Sequence, residues 1–296
     1  MTHFEDVPIV RVRDFWNARP CNIRHSAKPV GEREYFDEVE ARKYFVEPHI
    51  PRFAEFTRWS GKRVLEIGCG LGTDTVNFAR AGAQVTAVDL SDRTLEIARK
   101  RAAVYGLTNI TFVQADAEQL TTALPAEPYD LVYSFGVIHH TPNPRVALAQ
   151  IRSFVSKNGT LKLMLYHRHS WKALATVMTY GHGALWNWDE IIARYSEAQE
   201  GCPVTYTYTR RELYDLIDRI DCRVENMFVD HIFPWRIADY IQYRYQRTWY
   251  FAMIPPPAFQ WLERHFGWHL CVTAVAQRLH QRSFSLPAKL SKARSI

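Results

Sequence analysis

Between Arg63 and Tyr166 the chain alternates in a way that few sheet architectures accommodate. Short β-prone runs, RVLEI, QVTAVDL, ITFVQAD, YDLVYSF and TLKLMLY, are separated by segments whose apolar residues recur at helical spacing, as in Arg93 to Tyr105 and Arg145 to Val155. Each helical crossover returns the chain to the same edge, so such alternation builds a parallel, doubly wound sheet with helices on both faces. Two later runs, CRVENMFV and HLCVTAVAQ, predict a closing strand pair. Before them stands a helix, RELYDLIDRI, for which Thr209 and Glu212 have the spacing of a capping box. The fold class is α/β: a Rossmann-like doubly wound sheet, mostly parallel with an antiparallel last strand, plus N-terminal helices and helical, aromatic insertions forming a lid.

Four segments follow. Residues 1–60 form a helical cap, with Phe36, Val39, Tyr44 and Phe45 at helical spacing. Residues 61–168 are the alternating core. Residues 169–280 complete the sheet and carry insertions at about 170–208, with Trp171, Trp186 and Trp188, and 231–268, with Trp235, Trp249, Trp261 and a break at Pro255, Pro256 and Pro257. Residues 281–296 are a basic tail. The insertion aromatics, among them Tyr206, Tyr208, Tyr240, Tyr243 and Tyr245, form either an acceptor pocket or cation cage or, by the commoner use of aromatics at helical spacing, a small satellite core. The segment TWYFAMIPPPAFQWLERHFGW has interfacial side chains but no sustained amphipathic helix, so no stable membrane association is expected.

Composition narrows the class further. Hydrophobic residues at 47% and charged ones at 23% describe a folded globular chain. No stretch of about 18 apolar residues lacks charges, and the opening MTHFEDVPIVRVRDFW has no signal-peptide character, so a cytoplasmic location is expected. Five scattered cysteines, Cys21, Cys69, Cys202, Cys222 and Cys271, supply neither a disulfide framework nor a paired zinc motif, and free buried thiols are expected. The net charge of +6 is spread among acids except in LPAKLSKARS and around Arg236 to Arg247, a pattern of solvated faces rather than of nucleic-acid binding.

The sequence VLEIGCGLGTDT runs from a buried strand into Gly68, Gly70 and Gly72 and then a helix beginning near Asp74. Glycines there permit a tight turn and close backbone approach to a ligand. A dinucleotide fingerprint would place the third glycine three positions after the second; here Gly72 follows Gly70 by two, and Glu66 precedes the loop. A carboxylate so placed repels a pyrophosphate and suits a ligand carrying an ammonium and a sulfonium. Asp89 ends the second strand, where an acid in this sheet type accepts from ribose hydroxyls; its alternative is a cap for the helix after Ser91.

Taken in order, VLEIGCGLGTDT, AVDLS, QADAEQL, YDLVYSFGVIHHTPN and NGTLKLMLY resemble the successive motifs of class I S-adenosylmethionine-dependent methyltransferases over about residues 61–168. The resemblance implies that Gly68, Cys69 and Gly70 line the methionine part of S-adenosylmethionine, that Asp89 holds the ribose and that Leu90 packs on the adenine. It further implies that Asp116, with Ala117, bonds the adenine amino group, and that Ser134 and Phe135 flank the methionine moiety. It fixes no acceptor; the expected one is a small molecule with an oxygen or nitrogen to methylate.

Methyl transfer needs alignment and exclusion of water, with a base only if the acceptor must lose a proton. His139 and His140 follow the fourth strand at the ligand edge and are the catalytic candidates, as base or orienting group; the alternative is that one caps the next helix and the other packs on the loop. No metal is expected on this pair, because adjacent residues rarely point to one ion and no carboxylate stands beside them in sequence. His167 and His169 share a side if the fifth strand continues, though exposed loop histidines are the simpler reading. A nucleic-acid methyltransferase, a non-catalytic binding subunit of the same fold and a dehydrogenase are the competing readings, and both monomer and homodimer stay open.

Overall fold

The computed structural model describes residues 4–181, 185–197 and 201–277. Three helices open the chain, α1 (Ile9–Ala18), α2 (Arg33–Val46) and α3 (His49–Ala54). The alternating core follows as β1 (Arg63–Ile67), α4 (Thr73–Arg80), β2 (Gln84–Asp89), α5 (Asp92–Val104), β3 (Ile110–Gln114), α6 (Leu120–Ala123), β4 (Tyr129–Phe135), α7 (Pro144–Arg152) and β5 (Val155–Tyr166). Next come α8 (Trp171–Tyr180), α9 (Trp188–Tyr195), α10 (Arg210–Arg219) and β6 (Cys222–Asp230), then α11 (Ile237–Ile241), α12 (Trp249–Ala252), α13 (Pro256–Phe266) and β7 (His269–Ala276).

The seven strands form one sheet in the order β3-β2-β1-β4-β5-β7-β6. The β1, β2, β3, β4 and β5 neighbours pair in parallel, and β7 enters antiparallel between β5 and β6. The order reverses at β1 and β4, which puts the carboxyl ends of those strands at the switch point where open α/β sheets bind ligands. Side chains of β1 alternate between two apolar clusters. Leu65 and Ile67 pack with the α7 and α10 side, and Val64 packs with Phe78, Tyr133 and Trp59 on the other.

Local signals account for the helix starts. Ser91 Oγ accepts from Thr94 N at the head of α5, and Thr209 with Glu212 forms the expected capping box on α10. The N-terminal helices are tied down on the core: Tyr35, Phe36 and Val39 of α2 pack with Leu71 and Ile97. Buried Arg101 donates to Thr73 Oγ1 (2.7 Å), Phe36 O (3.1 Å) and Glu40 Oε2 (2.9 Å), so its charge is paired as well as hydrogen-bonded.

Both insertions are helical, and their aromatics split between the two expected uses. Ile232, Phe251 and Phe259 make a satellite core. Tyr240, Tyr243 and Tyr245 do surround a cation, but it is the chain's own: the Arg42 guanidinium lies 4.0, 4.3 and 5.9 Å from their ring centroids and donates to Tyr240 O. This cage fastens the second insertion to α2 and leaves no room for an acceptor cation. Cys69, Cys202, Cys222 and Cys271 are buried free thiols as expected; Cys21 is not buried. No helix among the described residues is long and apolar enough to cross a membrane, and the basic tail at 281–296 lies outside the described residues.

Candidate functional site

Gly68, Gly70 and Gly72 adopt φ of 76°, 53° and 72°, left-handed conformations that L side chains rarely take. At Gly68 a Cβ would stand 2.1 Å from Val137 Cγ2, so the loop after β4 rests directly on the glycine. At Gly70 a Cβ would meet nothing within 4 Å, because that side opens into a cavity. Gly68 N and Cys69 N both donate to Val88 O (2.7 and 3.0 Å), while Gly70 N donates to Asp89 Oδ2 (2.8 Å) and Ser91 N to Asp89 Oδ1 (2.9 Å). Asp89 thus clamps the turn. Burial pushes its carboxyl pKa up even though these amides favour the charged form.

The cavity, about 160 Å³, has Ile67, Gly68, Gly70, Val88, Asp89 and Leu90 along its floor. Asp116, Ala117, Phe135, Gly136 and Val137 form its sides, and Ile9, Val12 and Trp16 of α1, with Cys21, His140, Thr141 and Tyr166, form its roof. Asp116 Oδ1 accepts from Glu118 N (2.9 Å), leaving its other oxygen for a ligand donor. A larger groove of about 700 Å³ lies on the β6 side, between Arg52, Arg58, Arg210, Arg264 and the acids Glu55, Glu225 and Asp230, but it lies away from the glycine loop.

Of the residues expected at the site, Gly68, Gly70, Asp89, Leu90, Asp116, Ala117, Phe135 and His140 line this cavity. Glu66, Cys69, Ser134 and His139 do not. Strand alternation turns Glu66 to the face opposite Ile67, where it is buried and accepts from Thr75 Oγ1 (2.5 Å). Burial and the neighbouring Asp74 raise its pKa to about 8, and its side chain points away from the cavity. Cys69 contributes its backbone, and Ser134 Oγ donates to Ile67 O (3.0 Å), joining β4 to β1 beside the loop.

The two histidines differ. A carbonyl can only accept, so the 2.8 Å contact of His140 Nδ1 with Val204 O fixes the proton there; Nε2 faces Glu197 Oε1 at 3.8 Å. Burial works against its charge, but Cys202, Glu197 and the Val204 carbonyl together raise its pKa. His139 is fully buried with neither ring nitrogen hydrogen-bonded, wedged between His140 (4.2 Å between centroids) and Tyr166 (3.8 Å). Burial, then His140 and Lys172, hold its pKa well below the ordinary value, so it is neutral. Neither ring caps α7, whose N-cap is Asn143. His167 is buried against Gly267 O (3.2 Å), contrary to the exposed-loop reading, and only His169 is exposed.

Several site residues escaped the sequence reading. Val12 and Trp16 arrive from an amphipathic helix with no motif, and Trp16 meets His140 edge-on at 5.1 Å. Cys21 lines the cavity just beyond the end of α1. Asp74, buried, receives Lys43 Nζ (2.7 Å), Tyr44 Oη (2.9 Å) and Tyr133 Oη (3.0 Å), bolting α2 to α4 beneath the loop. Its signal was an acid in the first turn of a helix, which is too common to single out.

Comparison with known proteins agrees with this geometry. Residues 64–159 match the family described as "Methyltransferase domain". Ubiquinone biosynthesis O-methyltransferase of Haemophilus ducreyi is 36% identical over 111 residues, covering 36% of this chain and 47% of that protein. The mitochondrial ubiquinone biosynthesis O-methyltransferase of Schizosaccharomyces pombe is 34% identical over 134 residues, covering 44% and 47%. The chain thus spans about half the length of the curated relatives it matches. Among solved structures, magnesium protoporphyrin IX methyltransferase from Synechocystis with bound SAH superposes with a TM-score of 0.58 at 16% identity, covering 91% of this chain and all of that one. A methyltransferase-like protein from Bacillus halodurans gives 0.53 at 18%, covering 78% and 100%. Residues 64–159 thus match a methyltransferase domain in sequence, and the sheet has the fold of solved methyltransferases.

Proposed function

We propose that the chain is an S-adenosylmethionine-dependent methyltransferase whose acceptor is a small molecule methylated on oxygen or nitrogen. One observation carries this: the glycine loop, open at Gly70 and clamped by Asp89, borders a cavity with a second acid, Asp116, on its far wall. Those residues fit the cofactor. Asp89 uses one site on each oxygen for amides and keeps others for ribose hydroxyls. Leu90, Ala117 and Val12 offer apolar contact to a purine, and Asp116 an acceptor for its amino group. When bound, S-adenosylmethionine supplies an electrophilic methyl group for in-line displacement.

The chain's part is to hold, orient and exclude water. Val137 and Phe135 wall the methionine end, Trp16 covers it, and Tyr166 bounds the acceptor side. His139, one ring behind Tyr166 of the cavity wall, is the base candidate if the acceptor is a hydroxyl, because a neutral imidazole with free nitrogens can take a proton. His140 is a positioning residue, since its Nδ1 proton is committed to Val204. The relatives' names favour oxygen as the acceptor atom. A cavity of about 160 Å³ is small beside the roughly 300–1,000 Å³ of ligand pockets, so in this reading α1 moves outward on loading.

Titration calorimetry with S-adenosylmethionine, S-adenosylhomocysteine and a nicotinamide dinucleotide tests the proposal. One site for each of the first two and none for the third is the expected result; heat from neither sulfur compound refutes it.

A further inference from the structure

Beyond Phe135 and Tyr166, on the side away from the glycine loop, four segments distant in sequence bring polar groups together. Glu47 follows α2, His49 begins α3, His231 follows β6 and His269 opens β7. One donor atom each from Glu47, His231 and His269 lies within 4.8 Å of the other two. The His269 ring centroid is 5.4 Å from that of Phe135, and its plane is parallel to Tyr166 at 6.4 Å. We propose that Glu47, His231 and His269 bind one divalent transition-metal ion, of the zinc type, leaving a coordination position for an exogenous oxygen ligand.

Two imidazoles and one carboxylate are the donor set of an open metal site rather than of a closed structural one. A tetrahedral ion about 2.0 Å from each ligand wants donors about 3.3 Å apart, so the present spread closes with small side-chain rotations. His269 Nε2 already stands 3.5 Å from Glu47 Oε1. Its other nitrogen, Nδ1, is hydrogen-bonded to His49 Nε2 at 3.0 Å, which fixes the ring and aims Nε2 at the ion. Metal-bound imidazoles characteristically have such an outer partner. Behind His49, Asp230 Oδ1 stands 3.9 Å from a ring nitrogen that has no hydrogen bond of its own.

The surroundings suit a cation. His231 holds φ of 72°, which turns its ring toward His269, with centroids 4.6 Å apart. Glu47 and His231 retain partial exposure, which gives an ion a way in. Without an ion, two buried histidines, a half-buried one and a carboxylate face one another with few hydrogen bonds to join them.

Binding of the ion is independent of the methyltransferase reading. That it would hold an acceptor oxygen rests on that reading. The experiment uses protein prepared without a metal-affinity tag and stripped with chelator. It is titrated with Zn²⁺ by calorimetry against a competing chelator and with Co²⁺ by visible absorption, alongside Glu47→Gln and His231→Ala, both partly exposed. S-adenosylmethionine affinity and circular dichroism are read on every sample. The expected result is one ion per chain with the d–d bands of a low-coordinate Co²⁺ site, roughly 100-fold or more weaker in each variant, and a metal-dependent rise in wild-type Tm that both variants lose. Micromolar Zn²⁺ failing to bind the wild type, or binding the variants as tightly, overturns the site. Metal loss with the nucleoside site intact sinks this inference alone, and the reverse pattern sinks only the methyltransferase reading.

Discussion

The floor and the roof of the cavity are built on opposite principles. The floor is local. Gly68, Gly70, Asp89 and Leu90 come from two adjacent parallel strands and the turns at their ends, and backbone amides fix it by bonding to Val88 O and to Asp89. The roof is assembled from far-apart pieces: Trp16 from α1, His140 from the turn after β4 and Tyr166 from β5, with His139 and His269 packed behind them, joined by ring contacts more than by hydrogen bonds. A floor of this kind is a fixed seat for a common cofactor, while a roof of side chains can be rebuilt for different acceptors without disturbing it.

The strongest way to break that comparison is where the two meet. Gly68→Ala forces a Cβ to within 2.1 Å of Val137 and a side chain into φ of 76°, a cost of about 3 kcal/mol or more. Calorimetry on this variant is expected to show S-adenosylmethionine affinity down roughly 100-fold or beyond. Unchanged affinity would mean that floor and roof are not in contact as described.

His139→Ala, a roof change, is expected to lower kcat by about 10²–10⁴-fold with cofactor affinity within about twofold; full turnover would make the ring a packing residue. Because burial holds the His139 pKa well below 6.5, the acid limb of the wild-type pH–rate profile should also fall below that value, so turnover persists as pH drops through the usual histidine range. A limb at or above 6.5 would point to another base.

Asp89→Ala removes a floor acceptor, and about 1–3 kcal/mol, or roughly 5- to 150-fold in cofactor Kd, should be lost. Trp16→Ala tests the roof's hold on the same ligand and should weaken it only about threefold while speeding its release in stopped-flow, since α1 covers the cavity but donates no hydrogen bond to it. Equal losses in the two variants would erase the distinction.

Buried histidines carry the acid sensitivity. His139, His25 (about 3) and His167 (about 4) have pKa values depressed chiefly by burial. Below about 6.5 the unfolded chain binds protons at these rings that the folded one refuses, so their contribution is complete above pH 6.5 and is lost as pH falls. Glu66, raised to about 8, acts in the opposite sense, favouring the folded state more as pH falls from 8 toward 4.5. His49, His231 and His269 act with the three rings, and Glu47 and Glu263 act with Glu66, so the histidines outweigh the acids and Tm is expected to drop by several degrees between pH 6.5 and 5; a flat Tm would mean that the rings reach solvent.

The sequence was readable where neighbours in the chain are neighbours in space. β1 and β4 stand at the expected residues, and the box of Thr209 with Glu212 caps α10. Asp89 stood out by its distance from the glycines, and it does reach back to Gly70. The position of Glu66 is legible in periodicity: in a strand buried on both faces its side chain lies opposite to that of Ile67, whichever way the following loop runs. Trp16, Cys21 and the Glu47, His231 and His269 group had no such trace, because tertiary packing alone joins residues two hundred positions apart. The tyrosines were a cage in pattern, but Arg42, far upstream, fills it.

The placement of β7 has a consequence in time. β5 is flanked in the sheet by β7, whose residues follow it by roughly a hundred positions, whereas every pairing of β1, β2, β3 and β4 is available once β5 is made. During synthesis the cofactor seat can condense while the ribosome is still adding the insertions, because low-separation contacts close first. The acceptor side must wait for His269 with one edge of β5 unpaired. For that interval the nascent chain carries the apolar row Leu161, Leu163 and Leu165 on a strand with one open edge, the arrangement most prone to pairing with another chain.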